Sequence, residues 1–152
     1  MNRGLEGKDR GGIHVYMAGL DRSTLDDLRI TNNHVEDCGG VGIATKSSCG
    51  DVTVHAAGGY TAEYLWTGVY IGGNYVNRTG RNSIIIRISQ DPILEHNVAA
   101  RPGLHSQGNS IFCFDTVGCI MQYNEAYGNT VSGSTHNSFA DRGGYDLSLI
   151  HI

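Results

Sequence analysis

The sequence predicts an all-β chain wound as a solenoid of about four to five coils. Three observations carry this: four short segments that superpose without gaps, a second β-rich run after each of them, and a near absence of helical periodicity.

The superposable segments are Leu28-Arg-Ile-Thr-Asn-Asn33, Val69-Tyr-Ile-Gly-Gly-Asn74, Pro92-Ile-Leu-Glu-His-Asn97 and Cys119-Ile-Met-Gln-Tyr-Asn124. Each ends in asparagine. Three residues before it stand Ile30, Ile71, Leu94 and Met121, and two after it Val35, Val76, Ala99 and Ala126, so both flanking columns are apolar. The second runs are Gly42–Lys46, Ser83–Arg87, Ser110–Asp115 and Ser138–Arg142. Asn33 to Ile43 and Asn74 to Ile84 are both ten residues, whereas Asn97 to Ile111 is fourteen and Asn124 to Phe139 fifteen, which places extra residues in the same corner of two successive units. Ile43 to Ile71 takes twenty-eight residues, an excess assigned to an insertion at about 49–66.

A repeat of about 23 to 27 residues with short strands cannot bury its apolar side alone, so the copies must stack with neighbours pairing in parallel. Strands then lie about 4.8 Å apart, and Asn33, Asn74, Asn97 and Asn124 become a ladder of amides at one turn. Asparagine suits such a corner because it tolerates the left-handed backbone conformation and because its amide both donates and accepts. Ile13–Ala18 reads as the second strand of an earlier, partial coil.

Composition agrees. The 152 residues include 22 glycines and 2 prolines, calling for frequent turns, and the missing Gly-X-Y period excludes collagen. Eleven basic against fifteen acidic residues, net −4, give no electrostatic footprint for nucleic acid or an anionic membrane surface. No run reaches the roughly 18 apolar residues that cross a bilayer. Met1–Arg10 lacks the apolar centre of a signal peptide. Cys38, Cys49, Cys113 and Cys119 have no metal-ligand spacing, so no metal site is expected from them. They fit small core residues, or, in an oxidising compartment, the pairs Cys38–Cys49 and Cys113–Cys119. One domain is expected over residues 1–145, with 146–152 as a tail off the pattern. Because solenoids need polar caps, the chain is expected to be a truncated piece of a longer, monomeric protein.

The asparagine-centred columns from Leu28 to about Asp141 resemble the units of right-handed parallel β-helix proteins of the pectate-lyase-like superfamily. Tyr64–Asn74 and Pro92–Asn97 are similar to segments of secreted bacterial members assigned to polysaccharide breakdown. The resemblance implies a right-handed parallel β-helix, a polysaccharide substrate and secretion. Lyases, hydrolases, epimerases, tailspikes and adhesins share such solenoids, so the resemblance specifies no reaction. No active-site signature of the family stands in this chain as a contiguous motif.

Alternation along the second strand turns Ile43, Ile84, Ile111 and Phe139 inward, leaving Lys46, Arg87, Phe114 and Arg142 outward in one row. Cations hold carboxylates and an aromatic ring stacks on a sugar, so the row fits a uronic-acid polymer; it also fits an ordinary solvated sheet face. The two extended corners, Ala100–Ser106 and Val131–Asn137, are expected side by side as a wall carrying Arg101, His105 and His136, with Asp115 and Asp141 at the ends of the following strands. Tolerated surface insertions fit these segments equally. Strict alternation turns both aspartates inward, so a cleft role requires each strand to end before them.

A lyase would need a base such as His105 or Arg87 and a cation or calcium to stabilise the enolate, with Glu95, Asp115 and Asp141 as the available acidic oxygens. No cofactor is required, and calcium is the one ion contemplated. A hydrolase would need two carboxylates about 5 to 9 Å apart, Asp115 with Asp141 or Glu125. The first reading is therefore binding and cleavage of an extended polysaccharide by Arg87, His105, Asp115 and Asp141, with Lys46, Arg101, Phe114, His136 and Arg142 holding it. The second is a non-catalytic scaffold or adhesive surface. Gly39-Gly-Val-Gly42 opens a strand, so a phosphate loop fails on context. Asn77-Arg-Thr79 matches a glycosylation acceptor, and Glu63-Tyr-Leu-Trp66 reads as an apolar flap over the solenoid, or as a sugar-stacking segment.

Overall fold

A computed structural model describes residues 11–17, 23–47, 64–129 and 144–149. These form a parallel β-solenoid of about four turns. The strands are β1 (Gly11–Met17), β2 (Arg29–Thr31), β3 (His34–Cys38), β4 (Val41–Ser47), β5 (Tyr70–Gly72), β6 (Tyr75–Thr79), β7 (Ile84–Gln90), β8 (Ile93–Glu95), β9 (Val98–Ala100), β10 (Ile111–Val117), β11 (Ile120–Gln122), β12 (Glu125–Tyr127) and β13 (Tyr145–Leu149). They stack into three parallel sheets, ordered β1-β4-β7-β10-β13, β2-β5-β8-β11 and β3-β6-β9-β12.

The register is the one the columns require. Ile30 lies beside Ile71, Ile71 beside Leu94 and Leu94 beside Met121. Val35, Val76, Ala99 and Ala126 align on the next sheet. The flanking apolar column is thus a strand in its own right, giving each full coil three strands. β1 pairs with β4, placing Ile13 against Ile43 as expected for an earlier coil. Ile43, Ile71, Val76, Ile84, Ile86, Leu94, Ala99, Ile111 and Cys113 fill one interior and are fully sequestered from water. At roughly 1.5 to 3 kcal/mol for each large aliphatic side chain, this interior is the main force holding the coils together.

The asparagine ladder is present and directional. Asn33 donates its backbone N–H and its Nδ2 to Oδ1 of Asn74, both at 3.0 Å. Asn74 donates in the same two ways to Asn97, and Asn97 to Asn124. The remaining amide hydrogens reach back to the preceding coil, from Asn74 to the Ile30 carbonyl, Asn97 to Ile71 and Asn124 to Leu94.

The left-handed conformation expected at the ladder belongs instead to the residue before it: Asn32, Gly73, His96 and Tyr123 have φ between 53° and 65°. Two more columns share it, Asp27, Gly68, Asp91 and Gly118 ahead of the first strand, and Asp37, Arg78, Arg101 and Gly128 at the end of the second. Three left-handed bends per coil turn the chain through a triangle. Eight of these twelve residues are Gly, Asp or Asn, the types for which the bend is least strained.

The structure corrects two further expectations and decides between the alternatives for one cysteine pair. The place beside β10 that spacing assigns to Ser138–Arg142 is taken by β13, with Tyr145 opposite Ile111 and Ser148 opposite Phe114. The strand starts twenty-one residues after Asn124, at Tyr145, where the spacing places it fifteen residues on, at Phe139; both are aromatic residues able to head a strand. Trp66 belongs to no flap: it bridges Ser89 in parallel and is wholly buried in the interior. Cys113 and Cys119 are joined as a disulfide, with Cα atoms 7.0 Å apart, and Cys38 is a buried thiol. Cys49 lies outside the described residues.

Candidate functional site

The outer face of the β1-β4-β7-β10 sheet carries the row anticipated from alternation. Lys46, Arg87 and Phe114 are half-buried on it, and β1 adds Tyr16, which is exposed and in register with Lys46. Arg87 is in register with Phe114. The Lys46 ammonium lies 5.5 Å from the centre of the Tyr16 ring and the Arg87 guanidinium 5.9 Å from that of Phe114, both within cation–π range. Phe112 packs against Phe114 with ring centres 5.6 Å apart. Arg87 is fixed from below, since its backbone N–H donates to Thr45 Oγ1 at 2.8 Å and its carbonyl accepts from the same hydroxyl at 3.2 Å. The neighbouring outward row contains Ala44 and Ile85, which are nearly inaccessible, so the cationic and aromatic row runs along the border of a covered strip.

The other anticipated residues do not join it. Asp115 is 3% exposed, and β10 continues past it to Val117. Its φ of 53° matches the 55° of Ile88 beside it, so β7 and β10 share one left-handed kink at which both residues are buried. His105 is exposed at the opposite corner, where its N–H donates to the Gly80 carbonyl at 3.1 Å. The loop after β9 folds onto the end of β6, Leu104 N–H reaching Thr79 O at 2.9 Å, and does not rise beside Arg87. Arg101 turns the other way, to the face of β3-β6-β9-β12. Asp141, His136 and Arg142 lie outside the described residues. The hydrolase pair Asp115 and Glu125 is split between two sheets, the first buried on β10 and the second exposed on β12. The oxygens considered for calcium are likewise divided, Glu95 accepting from Tyr70 and Gln122 on another sheet.

Sequence reasoning missed a second concentration of functional groups, on the outer face of β3-β6-β9-β12. Glu36 accepts from Asn77 Nδ2 at 2.5 Å and lies 3.3 Å from His34 Nε2. Asn77 in turn accepts from Arg101 Nε at 2.9 Å. His34 meets the Tyr75 ring edge-on, centres 4.8 Å apart. The Asn77 hydrogen bond holds the Glu36 carboxyl below its ordinary range, and the bidentate Arg78 contact does the same for Asp37. The neighbouring Tyr127 phenol raises Tyr75. Asn77 is 2% exposed with its amide committed on both sides, which opposes its use as a glycan acceptor. Alternation of His34/Glu36 and Tyr75/Asn77 was the available signal for this face.

Fold and site together define a β-solenoid with one elongated cationic and aromatic face and one tyrosine-rich polar face. Comparison with protein-family models, with curated proteins and with solved structures finds no match, so this class rests on the coordinates.

Proposed function

We propose that this solenoid is a pectate-lyase-like β-helix protein that binds an extended acidic polysaccharide along the outer face of β1-β4-β7-β10. The observation that carries the reading is the row Tyr16, Lys46, Arg87 and Phe114, in which each cation is seated against a ring. A uronate polymer presents a carboxylate and a hydrophobic ring face in each unit, and rows about 4.8 Å apart offer both partners repeatedly along its length. The net charge of −4 makes a local cationic row on this face the feature that favours a polyanion there.

Cleavage by β-elimination is the second reading, favoured by Arg87, whose backbone the Thr45 hydroxyl holds on both sides in the middle of the row. There Arg87 in its neutral form would take the proton next to the uronate carboxyl while Lys46 holds the carboxylate, and the double bond would form as the glycosidic C–O bond breaks, the departing oxygen taking a proton from water. Incubation with pectate, alginate and neutral glycans separates these readings. Retention of the polyanions with no change in ultraviolet absorbance or reducing ends supports binding alone, and growth of absorbance from unsaturated products supports elimination. Equal indifference to all three glycans overturns both.

A further inference from the structure

The tyrosine-rich face of β3-β6-β9-β12 has the parts of a sugar site, and its chemistry differs from that of the cationic row. Tyr75 stands on β6 and Tyr127 on β12, with β9 between them, so the two phenols flank the outward positions Val98 and Ala100, which are in register with Tyr75 and Tyr127 respectively. Ala100 has no exposure. The result is an aromatic shelf two coils wide, with Tyr127 45% exposed.

Hydrogen-bonding groups of both senses line one side of the shelf. The exposed Glu36 accepts and the exposed Arg101 donates, and the buried Asn77 amide between them holds both, donating to Glu36 and accepting from Arg101 Nε. Gly128, in the next coil, makes room for Arg101: a Cβ there would press against the arginine stem. Charges on this face give no positive excess. Glu36 and Arg101 are bridged through Asn77, Asp37 is matched by Arg78, and the exposed Glu125 adds a negative charge, so no field draws a polyanion.

We propose that this face is a second ligand site, for a neutral oligosaccharide whose ring stacks on Tyr127 and Tyr75 while its hydroxyls pair with Glu36 and Arg101. A pyranose needs this combination, an apolar platform beside closely spaced donors and acceptors. The inference stands apart from the acidic-polymer reading, since it uses other residues on another sheet.

The test is calorimetric and NMR titration of the full chain with neutral oligosaccharides of glucose, xylose and mannose. At least one should bind with saturable shifts of tyrosine ring resonances. Tyr127→Ala should weaken it about tenfold or more, whereas Tyr127→Phe, which keeps the ring, should change it only about two- to threefold. Arg101→Gln should weaken binding with little change in the unfolding midpoint, because that side chain is exposed. Arg87→Ala, on the other sheet, should leave this binding intact while abolishing retention of pectate. No binding of any neutral oligosaccharide by the wild type at millimolar concentration overturns the proposal. So does equal affinity in the wild type and in folded Tyr127→Ala and Arg101→Gln variants, which would make the network a clamp between coils and nothing more.

Discussion

The amide oxygen of Asn97 accepts two hydrogen bonds from Asn74, one from the backbone N–H at 3.1 Å and one from Nδ2 at 2.9 Å. Both residues are essentially inaccessible to water. Asn97→Ala therefore strands a buried backbone donor that no solvent can reach. A loss of about 3 kcal/mol in unfolding free energy is expected, against about 1 kcal/mol for Asn33→Ala at the less buried end of the ladder. Urea unfolding of the two variants measures the difference, and equal losses would mean that the ladder is not a cooperative series.

Gly118 is left-handed, with φ of 65°, and a Cβ there would overlap the Asp91 carboxylate in the coil before it. Gly118→Ala should lose about 1 to 2 kcal/mol from the backbone alone, plus the displacement of Asp91. Combining it with Asp91→Gly should recover the second part, so a thermodynamic cycle over the two sites should be non-additive.

Acid should weaken the protein through three surface carboxylates. Asn77 lowers Glu36, Arg78 lowers Asp37, and Gln122 followed by Tyr70 lowers Glu95. A carboxyl lowered in the folded state adds stability above its unfolded pKa and gives it up as pH falls through the folded one. Stability should accordingly decline below about pH 4.5 and level off once the folded-state groups are protonated. Glu36→Gln and Glu95→Gln should each make that decline shallower in chemical unfolding at stepped pH; an unchanged slope would remove these groups from the acid response.

Reduction should act locally and modestly. The Cys113–Cys119 bond closes a loop with a sequence separation of six, for which loop-closure entropy amounts to about 2 kcal/mol. Dithiothreitol, or Cys119→Ala, should lower the unfolding midpoint by a shift of that size without dissolving the coils, because Cys113 is packed into the interior in either case.

Trp66 is the single tryptophan of the chain and has no exposure. Its emission should be blue-shifted in the native protein and move red on unfolding, together with the loss of β-sheet circular dichroism. Trp66→Leu should destabilise by about 3 kcal/mol or more, since the cavity lies among residues of several coils. A red-shifted native spectrum would return Trp66 to the surface.

Stacking was legible because a solenoid writes its periodicity into the chain. The columns Ile30/Ile71/Leu94/Met121 and Val35/Val76/Ala99/Ala126 recur at one spacing from the asparagines, and side-chain alternation then fixed Lys46, Arg87 and Phe114 on one outer face. Extrapolation failed where backbone conformation broke alternation or where loop length varied. The shared left-handed kink at Ile88 and Asp115 buried an acid that had been a candidate for catalysis, and the final corner moved the fifth strand of its sheet from Ser138–Arg142 to Tyr145–Leu149.

The sequence by itself determined the class of fold, the ladder and the composition of one outer row, because these follow from a repeating pattern of apolar, polar and asparagine positions. Only the tertiary structure decided which groups from different coils meet. Tyr75 and Tyr127 are fifty-two residues apart, and Arg101 and Asn77 twenty-four. Their contacts depend on the direction of each left-handed bend and on how a loop folds back, quantities set by packing between coils that no local stretch of sequence encodes.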